Sequence, residues 1–301
     1  MASNIKLTFL GTSDQIPSAS RNHAAILLSY EGENILVDCG EGTQRQFRKA
    51  RLNPCKITRV LITHWHGDHV FGLPGILSTL ALSGYKKTLY IYGPRGTKEF
   101  FRKLLDVFRF DKSYKIDVQE VSGRFFETKD FYLEAESMEH GIPCNAYSFV
   151  KKGNIRIDKA KLRKFKIPEG SHLAELKKGK DILYKDKKFK AKDLTYRDED
   201  RKVSFVFDTK INLRIAPFAE NADVFVCESS FSHELEEQAR EHLHLTSKQA
   251  AEVAKKAKVK KLVLTHVSQR YEKDLGRILN EAKKIFKNTI LVKDFDVVSV
   301  K

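Results

Sequence analysis

His64-Trp65-His66-Gly67-Asp68-His69 puts three imidazoles and a carboxylate within six residues, directly after the apolar run Val60-Leu61-Ile62-Thr63. An apolar run that ends in a polar, glycine-containing stretch reads as a buried strand followed by a loop. The loop side chains are metal ligands in type. Zinc takes His nitrogen and Asp oxygen, and a catalytic ion needs about three protein ligands, leaving a position for water. Residues i and i+2 of extended chain project to the same side, so His64 and His66 can hold one ion. Asp68 and His69, just past the glycine, can reach a second. A lone loop histidine is ordinary, but four ligand-type side chains at H-x-H-x-D-H spacing form a motif with a mechanism.

A two-ion site needs further ligands, one of them able to touch both ions. Three candidates each follow an apolar, strand-like run: His140 after 131–138, Asp208 after 203–207 and His266 after 262–265. Strand ends along one edge of a sheet are where α/β folds gather ligands and catalytic groups. A buried core histidine would explain any one of them; their shared position argues for a common site. Asp38 and Glu228 also end apolar runs, and read as groups that orient ligand histidines, as second carboxylates commonly do around metals. Ser268 and Arg270, just beyond His266, are candidates for meeting substrate phosphate. For these four a structural role is equally compatible with the sequence. Thr246 and Gln249 form a T-x-x-Q capping box, which places His244 in the loop ahead of a helix. Taken alone, His244 reads as a surface histidine like His242.

His64, His66, Asp68, His69, His140, Asp208 and His266 match the metallo-β-lactamase superfamily pattern, and within it the chain resembles ribonuclease Z, the family of tRNA 3′-processing endonucleases. The resemblance rests on Phe9-Leu10-Gly11-Thr12-Ser13, Val37-Asp38-Cys39-Gly40-Glu41-Gly42-Thr43-Gln44, Gly67-Asp68-His69-Val70-Phe71-Gly72-Leu73-Pro74-Gly75, His244-Leu245-Thr246 and Thr265-His266-Val267-Ser268-Gln269-Arg270-Tyr271. The H-x-H-x-D-H loop marks the superfamily; its G-D-H-x-x-G-L-P-G continuation narrows the match to the family. The match runs from near residue 5 to near residue 295. It implies an α/β fold, the four-layer αββα metallo-β-lactamase sandwich with a protruding basic insertion. It further implies two Zn2+ per subunit, one on His64, His66 and His140 and the other on Asp68, His69 and His266, with Asp208 bridging. Asp68 would act as general base and His244 would supply the proton that the leaving ribose 3′-oxygen needs. The implied substrate is precursor tRNA, cut just 3′ of the discriminator nucleotide. The family's homodimer presents the tRNA held by one subunit's arm to the metals of the other.

The chain carries a formal net charge of +16, which favours a polyanionic partner because neutralised phosphates release counterions. The charge is concentrated. Residues 151–202 hold 19 Lys/Arg against nine Asp/Glu, a surplus of ten. This segment is weakly periodic and too poor in core formers to pack inside a sandwich, so it reads as a solvated or disordered insertion; the resemblance makes it the basic arm that clamps tRNA. Gly170-Ser171 departs from the Gly-Pro pair associated with that arm. The expected organisation is therefore one domain over 1–301 with an inserted arm at 151–202.

Hydrophobic residues at 41% and charged residues at 31% are those of a globular protein in water. No apolar run approaches the ~20 residues of a membrane span, and no basic–apolar–small leader precedes the first strand. Cys39, Cys55, Cys144 and Cys227 show no C-x-x-C pairing and sit in or beside apolar segments, which suits free thiols in a reducing compartment. A cytoplasmic location is expected. Elsewhere the patterning predicts helices over 41–52, 71–84, 95–108, 247–257 and 273–286, and strands over 88–92, most of 114–138, 203–207, 223–227, 261–265 and 289–293.

Two other function classes share part of this pattern. A small-molecule hydrolase of the same superfamily would share the ligands but needs neither the ten-charge surplus nor His244. A non-catalytic RNA-binding protein would not need all seven ligand positions filled. Gly67, where redox diiron relatives carry a carboxylate, argues against iron chemistry.

Overall fold

The computed structural model describes residues 4–108 and 113–300. Six strands come first: β1 (Ile5–Gly11), β2 (Ala25–Tyr30), β3 (Glu33–Val37), β4 (Arg59–Leu61), β5 (Leu89–Gly93) and β6 (Ile116–Glu120). β7 (Gly123–Glu127), β8 (Phe131–Met138) and β9 (Cys144–Lys151) follow. Four short strands come next, β10 (Ile155–Ile157), β11 (Ile182–Tyr184), β12 (Lys187–Phe189) and β13 (Thr195–Arg197). The chain then forms β14 (Arg201–Val206), β15 (Val224–Glu228), β16 (Leu262–Thr265), β17 (Thr289–Leu291) and β18 (Val297–Val300).

Two seven-stranded sheets result, in the orders β18-β1-β2-β3-β4-β5-β6 and β17-β16-β15-β14-β9-β8-β7. In the first, β1 pairs antiparallel with β18 and β2, and β2 with β3, whereas β3, β4, β5 and β6 pair in parallel. In the second, β14 to β17 are parallel. Parallel neighbours need crossover connections, and these carry the helices.

Alternation along the strands shows where each face points. On the first sheet Leu27, Leu36, Val60 and Ile91 pack with Phe47, Leu73, Ile76 and Leu77 of the helices Thr43–Lys49 and Leu73–Leu82. On the second, Phe225, Cys227, Leu262 and Leu264 pack with Ala250, Ala254 and Ile278 of the helices Ser247–Lys256 and Leu275–Ile285. Residues of opposite parity, among them Phe9, Ile26, Leu28, Tyr147, Phe149, Phe205 and Val226, are also buried. They lie where the two sheets face each other: the Tyr30 and Phe149 rings are 5.4 Å apart, and the Tyr147 hydroxyl donates to the Ile62 carbonyl at 2.8 Å. The layers are therefore helix, sheet, sheet, helix, the αββα sandwich.

The sequence places these elements well and their ends less well. The helix predicted over 41–52 spans Thr43–Lys49, bounded by Gly42 at φ 77° and Arg51 at φ 56°. The helix predicted over 273–286 starts at Leu275 because the Asp274 side chain caps it by accepting from Arg277 N. The Thr246–Gln249 capping box is formed. No helix among the described residues is long and apolar enough to cross a membrane.

Residues 127–132 and 150–201 form a second compact unit. β10 pairs with β13 and β11 with β12, both antiparallel. Asp158 caps the helix Lys159–Lys164 by accepting from Ala160 N and Lys161 N. Leu162, Ile167, Leu173, Leu176, Ile182, Ala191 and Leu194 are buried together. This corrects the reading of 151–202 as a merely solvated or disordered insertion. Seven dispersed apolar side chains suffice for a small core, although lysines between them hide the pattern.

Candidate metal centre

The carboxyl ends of six strands converge on one place. β4 leads to His64, β8 to His140, β14 to Asp208, β16 to His266, β3 to Asp38 and β15 ends on Glu228. After β4 the chain crosses Thr63–His66 and turns into the single helical turn Gly67–Val70, which carries Asp68 and His69. That turn is pressed against the loop after β3: Cys39 N donates to the His69 carbonyl and Gly72 N to the Cys39 carbonyl, each at 2.8 Å. A Cβ on Gly40 would lie 2.2 Å from the Asp68 carbonyl oxygen, so only glycine permits this approach.

The seven ligand-type side chains meet in two overlapping groups, His64, His66, His140 and Asp208 in one, Asp68, His69, Asp208 and His266 in the other. Asp208 belongs to both. Its Oδ2 lies 3.5 Å from His64 Nε2, 3.6 Å from His69 Nε2 and 3.9 Å from His140 Nε2, and its Oδ1 lies 3.2 Å from His266 Nε2. His66 Nδ1 is 3.0 Å from His64 Nε2 and 3.2 Å from His140 Nε2. Asp68 Oδ2 stands 3.2 Å from His69 Nε2 and 3.6 Å from His266 Nε2.

Four of the five inward-facing imidazoles, those of His64, His69, His140 and His266, have a partner on the opposite ring nitrogen. Asp38 Oδ2 faces His69 Nδ1 at 2.7 Å, while Asp38 also accepts from Thr63 N and Thr63 Oγ1 at 2.7 and 2.8 Å. His64 Nδ1 is 3.1 Å from Thr63 Oγ1, and His140 Nδ1 is 3.2 Å from the Leu243 carbonyl. Ser230 Oγ donates to Glu228 Oε2 at 2.8 Å and lies 3.0 Å from His266 Nδ1. An N–H held on the outer nitrogen leaves the inner lone pair free for a metal. Thr63 and Ser230 were not identified from the sequence. Their signal was slight, a hydroxyl residue beside a ligand histidine and another two positions after a strand-end carboxylate.

Charge within the cluster is strongly organised. Burial pushes the Asp208 carboxyl up, but His266, His69, His244 and His64 outweigh it and hold the carboxyl well below the usual range. Burial alone would strip His69 of its proton, yet Asp68, Asp38 and Asp208 raise its imidazole well above the ordinary value. His64, buried and beside His69, is pushed well down. His244 lies outside the two groups: its Nδ1 is 3.0 Å from Glu228 Oε2 and its Nε2 3.9 Å from Asp208 Oδ2. Burial lowers its imidazole, but Glu228 and Asp208 prevail and push it up to about 10.

Asp208 Oδ1 is buried and accepts no hydrogen bond. His266 Nε2 lies 3.2 Å from it; a buried anionic oxygen without a formed hydrogen bond is costly, and a cation between the imidazoles would satisfy it. The donors are neutral nitrogens and carboxylate oxygens, a set suited to zinc or a similar divalent ion. The site thus fits divalent metal binding, with Asp208 common to both ligand groups. Cys144 does not contribute: its buried thiol, raised well above the usual range by burial, donates to the Asp208 carbonyl. Ser268 and Arg270 line the same cavity of about 330 Å3, with Arg270 lying over the Phe231 ring at 4.9 Å.

Over 297 residues the chain is 39% identical to ribonuclease Z of Archaeoglobus fulgidus, covering 96% of each sequence. The chain belongs to the ribonuclease Z family. Among solved structures, the short form of human tRNase Z is similar at a TM-score of 0.72 and 28% identity, covering 98% of this chain and 99% of that one. The metallo-β-lactamase fold protein YhfI from Bacillus subtilis superposes at a TM-score of 0.73 with 20% identity, covering 99% and 100% of the two chains. That likeness concerns the fold alone. A family model described as anti-Pycsar protein Apyc1 matches residues 5–131, less than half of the chain. The ribonuclease Z relationship, in contrast, spans both metal-ligand groups and the His244 loop.

Proposed function

We propose that this chain is a metal-dependent endoribonuclease that cuts precursor tRNA on the 3′ side of the discriminator nucleotide, leaving a 3′-hydroxyl on the tRNA and a 5′-phosphate on the trailer. The observation that carries the reading is 39% identity to a ribonuclease Z over nearly the full length, joined to two ligand groups that share Asp208. His64, His66 and His140 would hold one zinc, Asp68, His69 and His266 the other, and Asp208 both. The ions would supply acidified water and neutralise charge on the phosphate.

Asp68 is ionised, since His69 and His266 outweigh the effect of burial on it, and it takes the proton of the attacking water as the new P–O bond forms. His244, whose imidazole Glu228 and Asp208 push up against the effect of burial, would give its proton to the ribose 3′-oxygen as the P–O3′ bond breaks. Glu228 orients His244, and Asp38 orients His69. The basic segment 151–202 supports capture of the tRNA body through phosphate contacts, with tRNA shape choosing the cleavage point. A homodimer in the cytoplasm completes the proposal, carried by the family resemblance and by four cysteines that are all free thiols.

The test is incubation of zinc-loaded protein with end-labelled precursor tRNA, beside Asp68→Ala. One cut next to the discriminator, absent from the variant, is the expected result. A protein holding two zincs that cleaves a nitrophenyl phosphodiester but no tRNA would refute the substrate assignment. Light scattering checks the dimer.

A further inference from the structure

A second and larger cavity, about 780 Å3, opens beside the ligand cluster. His244 lines both this cavity and the metal cavity. The volume lies within the roughly 300–1,000 Å3 of small-molecule sites. Its most unusual feature is an aliphatic surface open to solvent: Ile211 is 46% and Leu213 84% exposed. Lys210 and Arg214 flank these two in the chain, and Arg240 also lines the cavity. Three carboxylates, Glu139, Glu236 and Glu237, balance the three cations. An uncharged ligand with an apolar face and polar edges suits such a lining better than a phosphate does. A nucleobase has that character.

The loop carrying Ile211 and Leu213 is held firmly. It begins at Thr209, directly after Asp208, where Thr209 N donates to Glu228 Oε1 at 2.9 Å. Lys210 N donates to the Glu139 carbonyl at 3.0 Å, Asn212 Nδ2 to Thr209 Oγ1 at 3.0 Å and Arg214 Nη1 to the Ser137 carbonyl at 3.2 Å. Glu228 therefore fixes both His244 and the start of this loop, so the cavity and the proton donor are set relative to one support.

From this arrangement we infer that the cavity seats the nucleoside immediately 5′ of the scissile phosphate, with its base against Ile211 and Leu213. The inference rests on the proposed function and follows from its polarity. The oxygen that leaves is the 3′-oxygen of the upstream nucleoside, and the group that protonates it is His244. The nucleoside bearing that oxygen must then lie on the His244 side of the metal cluster. The 780 Å3 cavity is on that side. The trailer, which keeps the attacked phosphate, lies on the other.

The experiment is a double-mutant cycle. Parent protein and an Ile211→Ser/Leu213→Ser variant are each given precursor tRNA with a normal or an abasic discriminator residue, metal analysis normalises each preparation for metal content, and bis(p-nitrophenyl) phosphate checks that the parent is active. In the parent, removing the base should lower kcat/KM about 10-fold, the loss expected when roughly 55 Å2 of apolar contact is given up at about 25 cal/mol per Å2. The variant should lose a similar factor on normal tRNA per bound metal, and removing the base should then cost it little more. Equal sensitivity of parent and variant to base removal, or a parent indifferent to the abasic residue, would overturn the seat while leaving the nuclease standing. A parent that turns over the ester but cuts neither tRNA would overturn both.

Discussion

His244 Nδ1 stands 3.0 Å from Glu228 Oε2, and the Glu228 carboxylate is fully buried. Burial opposes the imidazolium, but Glu228 followed by Asp208 raises it from the usual ~6.5 to about 10. In the metal-free protein this pairing stabilises the fold fully below pH ~6.5, and the contribution is lost as pH rises through about 10. In the proposed mechanism the same proton would serve the leaving oxygen. Glu228→Gln should therefore move the basic limb of the kcat profile to lower pH, and bound cations would shift parent and variant in the same direction. His244→Ala should slow tRNA cleavage by about 10²–10⁴, the usual worth of general acid catalysis. The loss on a nitrophenyl diester should be much smaller, because nitrophenolate departs unaided. An equal loss on both substrates would deny His244 the proton-donor role.

Asp38 offers a separate lever on the metals. It accepts from Thr63 N, Thr63 Oγ1 and the His69 ring, so it holds a ligand it does not replace. Asp38→Ala should weaken zinc binding by about 10–100-fold, as loss of such outer partners does. It should also destabilise the metal-free fold by about 1–3 kcal/mol, since buried donors lose their acceptor. Zinc titration against a chelator reads the first effect and thermal unfolding the second. A stability loss with unchanged zinc affinity would make Asp38 purely structural.

How far the site is legible in the sequence differs from residue to residue. Imidazoles and carboxylates at strand ends are uncommon, so His64, His66, Asp68 and His69 stand out locally, and apolar runs point to His140, Asp208 and His266. Thr63 and Ser230 do not stand out, because hydroxyl side chains are everywhere and only the fold brings these two against ring nitrogens. The strand β18 pairs with β1, nearly 300 residues earlier, and such pairing leaves no local periodicity to read. The core around Leu176 is hidden for another reason. Its members are separated by lysines that dominate the composition, and short helices and two-stranded sheets show little repeat. Ile211 and Leu213 sit in a loop, where exposed aliphatic residues carry no period at all.

Asp208 is the residue whose charge matters most to the cluster. Its carboxyl is held well below the usual range by the imidazoles around it, against the effect of burial. In the metal-free protein its contribution to stability is present above the unfolded value near 3.9 and is lost as pH falls through its lower folded value. Asp208→Asn preserves the shape but removes the shared anion. Zinc content should fall below two per chain, and cleavage should drop by roughly 10³-fold or more, given several kcal/mol of lost charge stabilisation. The acid end of the metal-free stability profile should flatten as well. Metal analysis together with acid unfolding checks both. Full zinc occupancy in the variant would overturn the proposed bridging role of Asp208.

The basic unit can be tested without touching a charge. Leu176 is fully buried in its small core, and Leu176→Ala should cost about 2–5 kcal/mol there, a large fraction of what so small a core can supply. Hydrogen exchange should quicken through 150–201 while the strands around the metal ligands stay protected. If this unit captures tRNA through phosphates, KM for precursor tRNA should rise and the dependence of binding on salt should become shallower, with hydrolysis of a nitrophenyl diester preserved. The comparison isolates folding of the unit from its charge, because every lysine remains. Unfolding of the unit with no change in KM for tRNA would mean that its lysines act without an ordered scaffold, or that the substrate is held elsewhere; truncation of 151–202 would separate those two outcomes by removing the lysines as well.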